Sequence, residues 1–98
     1  MAKQDSNILY DRSKLLIMTT LIANQKQISY MALQEATQLT KGNMTSHLHK
    51  LETEGYIKIE KEFVGRKPLT TISLTAAGKT ALKGHIEKLK DLIQKMKV

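Results

Sequence analysis

Between Leu39 and Leu51 the chain reads Leu-Thr-Lys-Gly-Asn-Met-Thr-Ser-His-Leu-His-Lys-Leu, and this stretch constrains the fold more than any other. Thr40 precedes a segment of helical periodicity, where its hydroxyl is placed to accept a backbone N–H that the first turn leaves without a partner. Setting successive residues about 100° apart separates two faces. Met44, Leu48 and Leu51 fall on one face; Gly42, Asn43, Ser46, His49, Lys50 and Thr53 fall on the other. The polar face carries no large apolar group and no acid. Short hydrogen-bonding side chains with a cation are what a helix presents when it lies against a polyanion and reaches base edges. A solvated amphipathic helix has the same pattern, so the flanking segments decide between the two.

Upstream, Met31 to Gln38 has a short helical pattern with Leu33 and Ala36 directed inward. The break at Leu39-Thr40 joins it to the polar-faced helix, as in a helix-turn-helix, although a plain αα-hairpin has the same outline. An earlier helical pattern starts at Asn7 or Ser13 and runs to about Asn24. Leu15, Met18 and Ile22 form its stripe, and Leu16 and Leu21 widen it. Ile28-Ser29-Tyr30 is too short for an independent strand but suits an edge added to a hairpin elsewhere. Residues 1 to about 7 are polar and are expected to fray.

Downstream, Glu54-Gly55 ends the polar-faced helix, because glycine has no Cβ to clash in the left-handed position past a helix end. The period then changes. In Tyr56 to Lys61, Ile57 and Ile59 alternate with Lys58 and Glu60, the pattern of a half-buried strand. Glu62 to Pro68 reads as a loop, and Leu69 to Leu74 alternates again with Ile72 and Leu74 inward. Together they predict an antiparallel hairpin tipped by Val64-Gly65-Arg66-Lys67-Pro68. Thr75 caps a last helix in which Leu82, Ile86, Leu89, Ile93 and Met96 follow alternating gaps of four and three. That heptad-like seam exceeds what a small domain covers, so part of it is expected to meet a second copy. Folding back onto the chain's own first helix is the alternative.

With 98 residues the chain suits one domain, residues 1–98, of which about 75–98 form a dimerisation helix. A net charge of +7 favours an acidic partner, nucleic acid before anionic membrane. Four aromatic residues, Tyr10, Tyr30, Tyr56 and Phe63, are too few for single-strand binding on stacked aromatic platforms. Without cysteine there is no disulfide or thiolate metal site. The amino terminus lacks a signal peptide's apolar run and no segment approaches a membrane span, so the expected location is cytoplasmic.

Helix, short strand, helix-turn-helix and basic-tipped hairpin follow one another in winged-helix order. Over Leu39 to Gly78 the sequence LTKGNMTSHLHKLETEGYIKIEKEFVGRKPLTTISLTAAG resembles the small winged-helix transcriptional regulators of the MarR/ArsR type. It is most similar to the short subgroup with a DNA-binding domain and one carboxy-terminal helix, and Lys14 to Met18 fits that family's first helix. The resemblance implies a mainly α fold with a small antiparallel β-wing and a long C-terminal helix. It implies major-groove contacts from Lys41, Asn43, Thr45, Ser46, His49 and Lys50, with Thr45 at the edge facing phosphates. It carries the wing's contacts over to Gly65, Arg66 and Lys67, Arg66 reaching an adjacent minor groove. It also implies a homodimer on a near-palindromic double-stranded DNA operator, with recognition helices roughly 34 Å apart.

Other chemistries fit poorly. No glycine-rich phosphate loop, activated nucleophile or paired carboxylates stand in a cleft-forming segment, so no enzyme, catalytic residue or cofactor is expected. His47 and His49 project about 160° apart on a helix and cannot share a metal by themselves. His47 falls near the apolar side, His49 faces outward, and His85 stands alone near the seam. Glu52 and Glu54 read as a solvated helix end, while Glu60 and Glu62 flank the wing. Lys88, Lys90, Lys95 and Lys97 lack the aromatic anchors of a membrane-surface helix. No small-molecule effector is identified by these residues. The expectation is a sequence-specific DNA-binding regulator, most simply a repressor; a winged-helix module for protein or RNA is the alternative.

Overall fold

A computed structural model describes residues 11–24 and 27–97. Its elements run α1 (Arg12–Asn24), β1 (Ile28–Ser29), α2 (Tyr30–Thr37), α3 (Lys41–Thr53), β2 (Ile57–Val64), β3 (Lys67–Leu74) and α4 (Ala76–Met96). Each helix start has a side-chain acceptor for an otherwise unfilled N–H. Asp11 accepts from Lys14, Ser29 from Ala32, Thr40 from Asn43 and Thr75 from Gly78, at 3.0–3.2 Å. Asn7, the earlier of the two expected starts for α1, lies outside the described residues.

The three strands form an antiparallel sheet in the order β1-β3-β2. β2 and β3 pair from Ile57↔Leu74 to Val64↔Lys67, closing through the two-residue turn Gly65-Arg66. Gly65 has φ +67°, the left-handed backbone such a turn requires. The loop expected over Glu62 to Pro68 is therefore mostly strand. Pro68 is tolerated on β3, the central strand, because β1 reaches only Ile72 and Thr71 and leaves Pro68 at an edge. Ile28–Ser29 is that added edge, while Tyr30 belongs to α2.

Helix α1 packs against α2, α3, α4 and β3. The core comprises Ile17, Met18 and Leu21 of α1, Leu33 of α2, Met44, Leu48 and Leu51 of α3, with Ile57, Ile72 and Leu82. Ile17 rather than Leu15 or Ile22 centres the buried face of α1; those two are only half-buried. Ala36 does not point inward but is exposed, and Thr37 takes the buried place. Its hydroxyl donates to the Leu33 carbonyl at 2.9 Å and lies 3.9 Å from Met44 Sδ, which is how a polar side chain is accommodated there.

Gly78 lets α4 approach the hairpin. A Cβ at this position would collide with the Tyr56 backbone carbonyl oxygen, and its nearest other neighbour is Leu74 Cδ2 at 3.0 Å. Thr75 reinforces the junction: its N–H donates to the Tyr56 carbonyl at 3.0 Å and its hydroxyl to the Gly55 carbonyl at 2.6 Å. From this anchor α4 runs about 31 Å, and the seam along it divides. Leu82 is 0% exposed in the core of its own chain, so it is not available to a partner copy. Ile86 packs against the same core. Leu89 is half-buried, whereas Leu92, Ile93 and Met96 are 45%, 60% and 76% exposed.

Candidate nucleic-acid interface

Helix α3 is held by its apolar side. Met44, Leu48 and Leu51 are buried, which turns Lys41, Gly42, Asn43, Ser46, His49, Lys50 and Thr53 to the exterior. All six residues expected on the recognition helix are exposed: Lys41, Asn43, Thr45, Ser46, His49 and Lys50. Together they form a polar, cationic strip with no acid among them. Thr53 Oγ1 donates to the His49 carbonyl at 2.9 Å, so at the C-terminal end of the helix one hydroxyl is turned back to the backbone. Gly55, with φ +83°, then reverses the chain, and the Tyr56 N–H donates to the Leu51 carbonyl at 3.0 Å.

Thr45 has a partner that sequence reasoning misses. The Tyr30 hydroxyl lies 2.7 Å from Thr45 Oγ1 and donates to the Lys41 carbonyl at 3.2 Å. Tyr30 opens α2, so this contact fixes the start of the recognition helix against the helix before it. Helical periodicity carries no trace of it, because the pair spans two elements. His47 is half-buried, as its position near the apolar side implies, with Nδ1 3.9 Å from Asp11 Oδ2, an ion pair only in the imidazolium form.

The wing places Gly65, Arg66 and Lys67 at its exposed tip, far along the hairpin from the core. Two apolar residues beside them, Phe63 and Val64, are 74% and 61% exposed. Between α3 and the wing lies a groove of about 630 Å³, lined on the helix by Lys41, Thr45 and His49 and on the strands by Lys61 and Thr70. Leu48 and Ile59 are its apolar lining, and Tyr30 and Glu52 also border it. The signal for Lys61 was the alternation Ile57, Ile59, Lys61, which sets all three on one face of β2.

Among the described residues no cluster of three or more His, Asp and Glu is placed to hold a metal. No described helix is long and apolar enough to cross a membrane.

A helix-turn-helix followed by a hairpin wing defines a class of DNA-binding protein. Residues 14–93 match the winged helix DNA-binding domain family, and the chain belongs to it. A transcriptional regulator homologue of Pyrococcus horikoshii is similar over 97% of this chain and 93% of its own, with 28% identity and a TM-score of 0.86. A putative MarR-family transcriptional regulator of Porphyromonas gingivalis shares the fold, with TM-score 0.73 and 21% identity over 98% of this chain and 92% of that one. An uncharacterized protein of Methanocaldococcus jannaschii is 35% identical over 60 residues, or 61% of this chain; the match spans 65% of that relative's length. The chain thus has the winged-helix DNA-binding fold of transcriptional regulators, and the solved neighbours are regulators rather than enzymes.

Proposed function

We propose that the chain is a sequence-specific, double-stranded-DNA-binding regulator that works in the cytoplasm as a homodimer on a near-palindromic operator. Occupying the operator and so blocking polymerase is its simplest mode of action. The observation that carries this reading is the exposed strip of α3 beside an exposed Gly65-Arg66-Lys67 wing tip. Asn43, Ser46 and His49 read base edges from the major groove, while Lys41 and Lys50 hold phosphates and Thr45 stands at the phosphate-facing edge. Arg66 reaches the adjacent minor groove or its phosphates, with Lys67 beside it and Gly65 making the turn.

The dimer rests on the outer half of α4. Leu89, Ile93 and Met96, joined by Leu92, are too apolar to favour water, and nothing else in the described chain covers them. Leu82 and Ile86 serve the other end of the helix, anchoring it to its own domain.

A selection of bound sequences from a random duplex pool, followed by titration of the winner against random duplex, tests the reading. A near-palindromic winner bound far more tightly than random duplex, with affinity falling steeply as salt rises, is the expected result. Equal, weak binding to every duplex would overturn it and leave a protein- or RNA-binding module.

A further inference from the structure

The groove between α3 and the wing has a role that neither the recognition helix nor the wing tip accounts for. Four cross-strand pairs place its wall: Ile57↔Leu74, Ile59↔Ile72, Lys61↔Thr70 and Phe63↔Pro68. Alternate pairs share a face of the hairpin, so these lie in one row from the core out to the tip. Along β2 the row passes from buried Ile57 through half-buried Ile59 to exposed Lys61 and then Phe63. The opposite face of β2 holds Lys58, Glu60 and Glu62, and there Lys58 Nζ is 3.3 Å from Glu60 Oε2. Both wing acids therefore sit away from α3, while Lys61 stands on the groove side. Neither Lys61 nor Lys41 is in an ion pair among the described residues.

Glu52 is the one acid on the groove, and it borders the end remote from Lys41, about 16 Å farther along α3. The lysines thus act at the open end with little local opposition. Beside Lys41, the Tyr30–Thr45 contact presents hydroxyl groups to the same space. When Tyr30 donates to Thr45, the Thr45 proton is free to turn to an anionic oxygen.

In a duplex, a sugar–phosphate strand separates the major groove from the adjacent minor groove. A protein that puts a helix in the first and a wing tip in the second must pass that strand between them. We propose that the groove seats this strand, with Lys41 and Lys61 facing successive phosphates, Thr45 and Thr70 offering hydroxyls, and Phe63 lying against the sugars. This rests on the DNA-binding reading above and adds Lys61, Thr70 and Phe63 to the residues that make it work.

The test is the salt dependence of duplex affinity, measured by fluorescence anisotropy on the full chain with its selected duplex. Lys61→Gln should make the slope of log affinity against log salt shallower by about 0.9, the value for one lost phosphate contact, without changing the preferred sequence. Lys58→Gln, on the opposite face, should keep the wild-type slope. Phe63→Ala should weaken binding with the slope unchanged, since it removes no charge. Circular dichroism melting of each variant shows that the exposed substitutions leave the fold intact. A wild-type slope for Lys61→Gln, in a protein that binds DNA specifically, overturns the groove assignment and leaves the regulator reading standing. Wild-type protein without salt-sensitive duplex binding overturns both.

Discussion

The Tyr30 hydroxyl lies 2.7 Å from Thr45 Oγ1, so the first residue of α2 and the second turn of α3 are joined side chain to side chain. The same hydroxyl also donates to the Lys41 carbonyl. One phenol therefore ties the orientation of the recognition helix to the helix that precedes it. Tyr30→Phe keeps the ring packing and removes both bonds. Because the site is exposed, the expected loss of stability is small, about 0.5–1 kcal/mol by thermal melting. Duplex affinity should fall with it. A variant that melts and binds like wild type would show that packing alone positions α3.

Gly78→Ala tests the closeness of α4 to the hairpin. The added methyl has to displace the Tyr56 backbone carbonyl, which also accepts the Thr75 N–H. Strain of this kind costs about 1–3 kcal/mol. Chemical denaturation should report that loss with little change in the slope against denaturant. Wild-type stability would mean the two segments separate without penalty.

Gln38 gives the opposite sign. It has φ 61° after α2, in the left-handed region that a Cβ disfavours, and its N–H donates to the Gln34 carbonyl at 2.8 Å. Gln38→Gly relieves that conformation and gives up the Gln38 Nε2 bond to the Glu35 carbonyl. An exposed hydrogen bond is the smaller term, so a net gain of up to about 1 kcal/mol and a higher melting temperature are expected. A lower melting temperature would mean that the side-chain bond outweighs the strain.

Ile93→Glu places a charge on the exposed outer half of α4 without touching the core. Light scattering should change from a dimer's mass to a monomer's, while the melting of the isolated fold stays near that of the wild-type monomer. Were the mass to stay dimeric, the interface would have to lie elsewhere.

Base readout and phosphate contact separate by mutation. Ser46→Ala or His49→Ala should alter the preferred sequence, with about 1–3 kcal/mol lost at a base pair that is read directly. Arg66→Gln should instead lower affinity across sequences and make the salt slope shallower by about one. If neither class changes binding, the docking of α3 in the major groove is wrong.

Much of this architecture was legible in the residues because single-element periodicity records which face is buried. Met44, Leu48 and Leu51 announced the inner side of α3, Gly55 its end, and Ile57, Ile59 and Ile72 the inner side of the wing. What periodicity does not record is the depth of the surrounding protein. Leu82 and Ile93 occupy equivalent places in a heptad, yet one is 0% and the other 60% exposed, since the domain ends part way along α4. Ala36 and Thr37 exchange roles for a related reason: a small apolar residue gains little from burial, and a buried threonine loses little when the Leu33 carbonyl accepts its proton. The groove was hidden altogether. Its walls come from α3 and both wing strands, and only the register Lys61↔Thr70 brings them to one place.

The two pairs that join β1 to β3, Ile28↔Ile72 and Ser29↔Thr71, are a small amount of sheet with a large mechanical effect. Ser29 also caps α2, and Tyr30 follows it with its hold on α3. The base of the hairpin and the start of the recognition motif are thereby clamped to one another, like the two jaws of a caliper locked at a single setting. A duplex whose groove spacing differs from that setting has to deform before both jaws can close, so the molecule gauges the shape of its DNA as well as its letters.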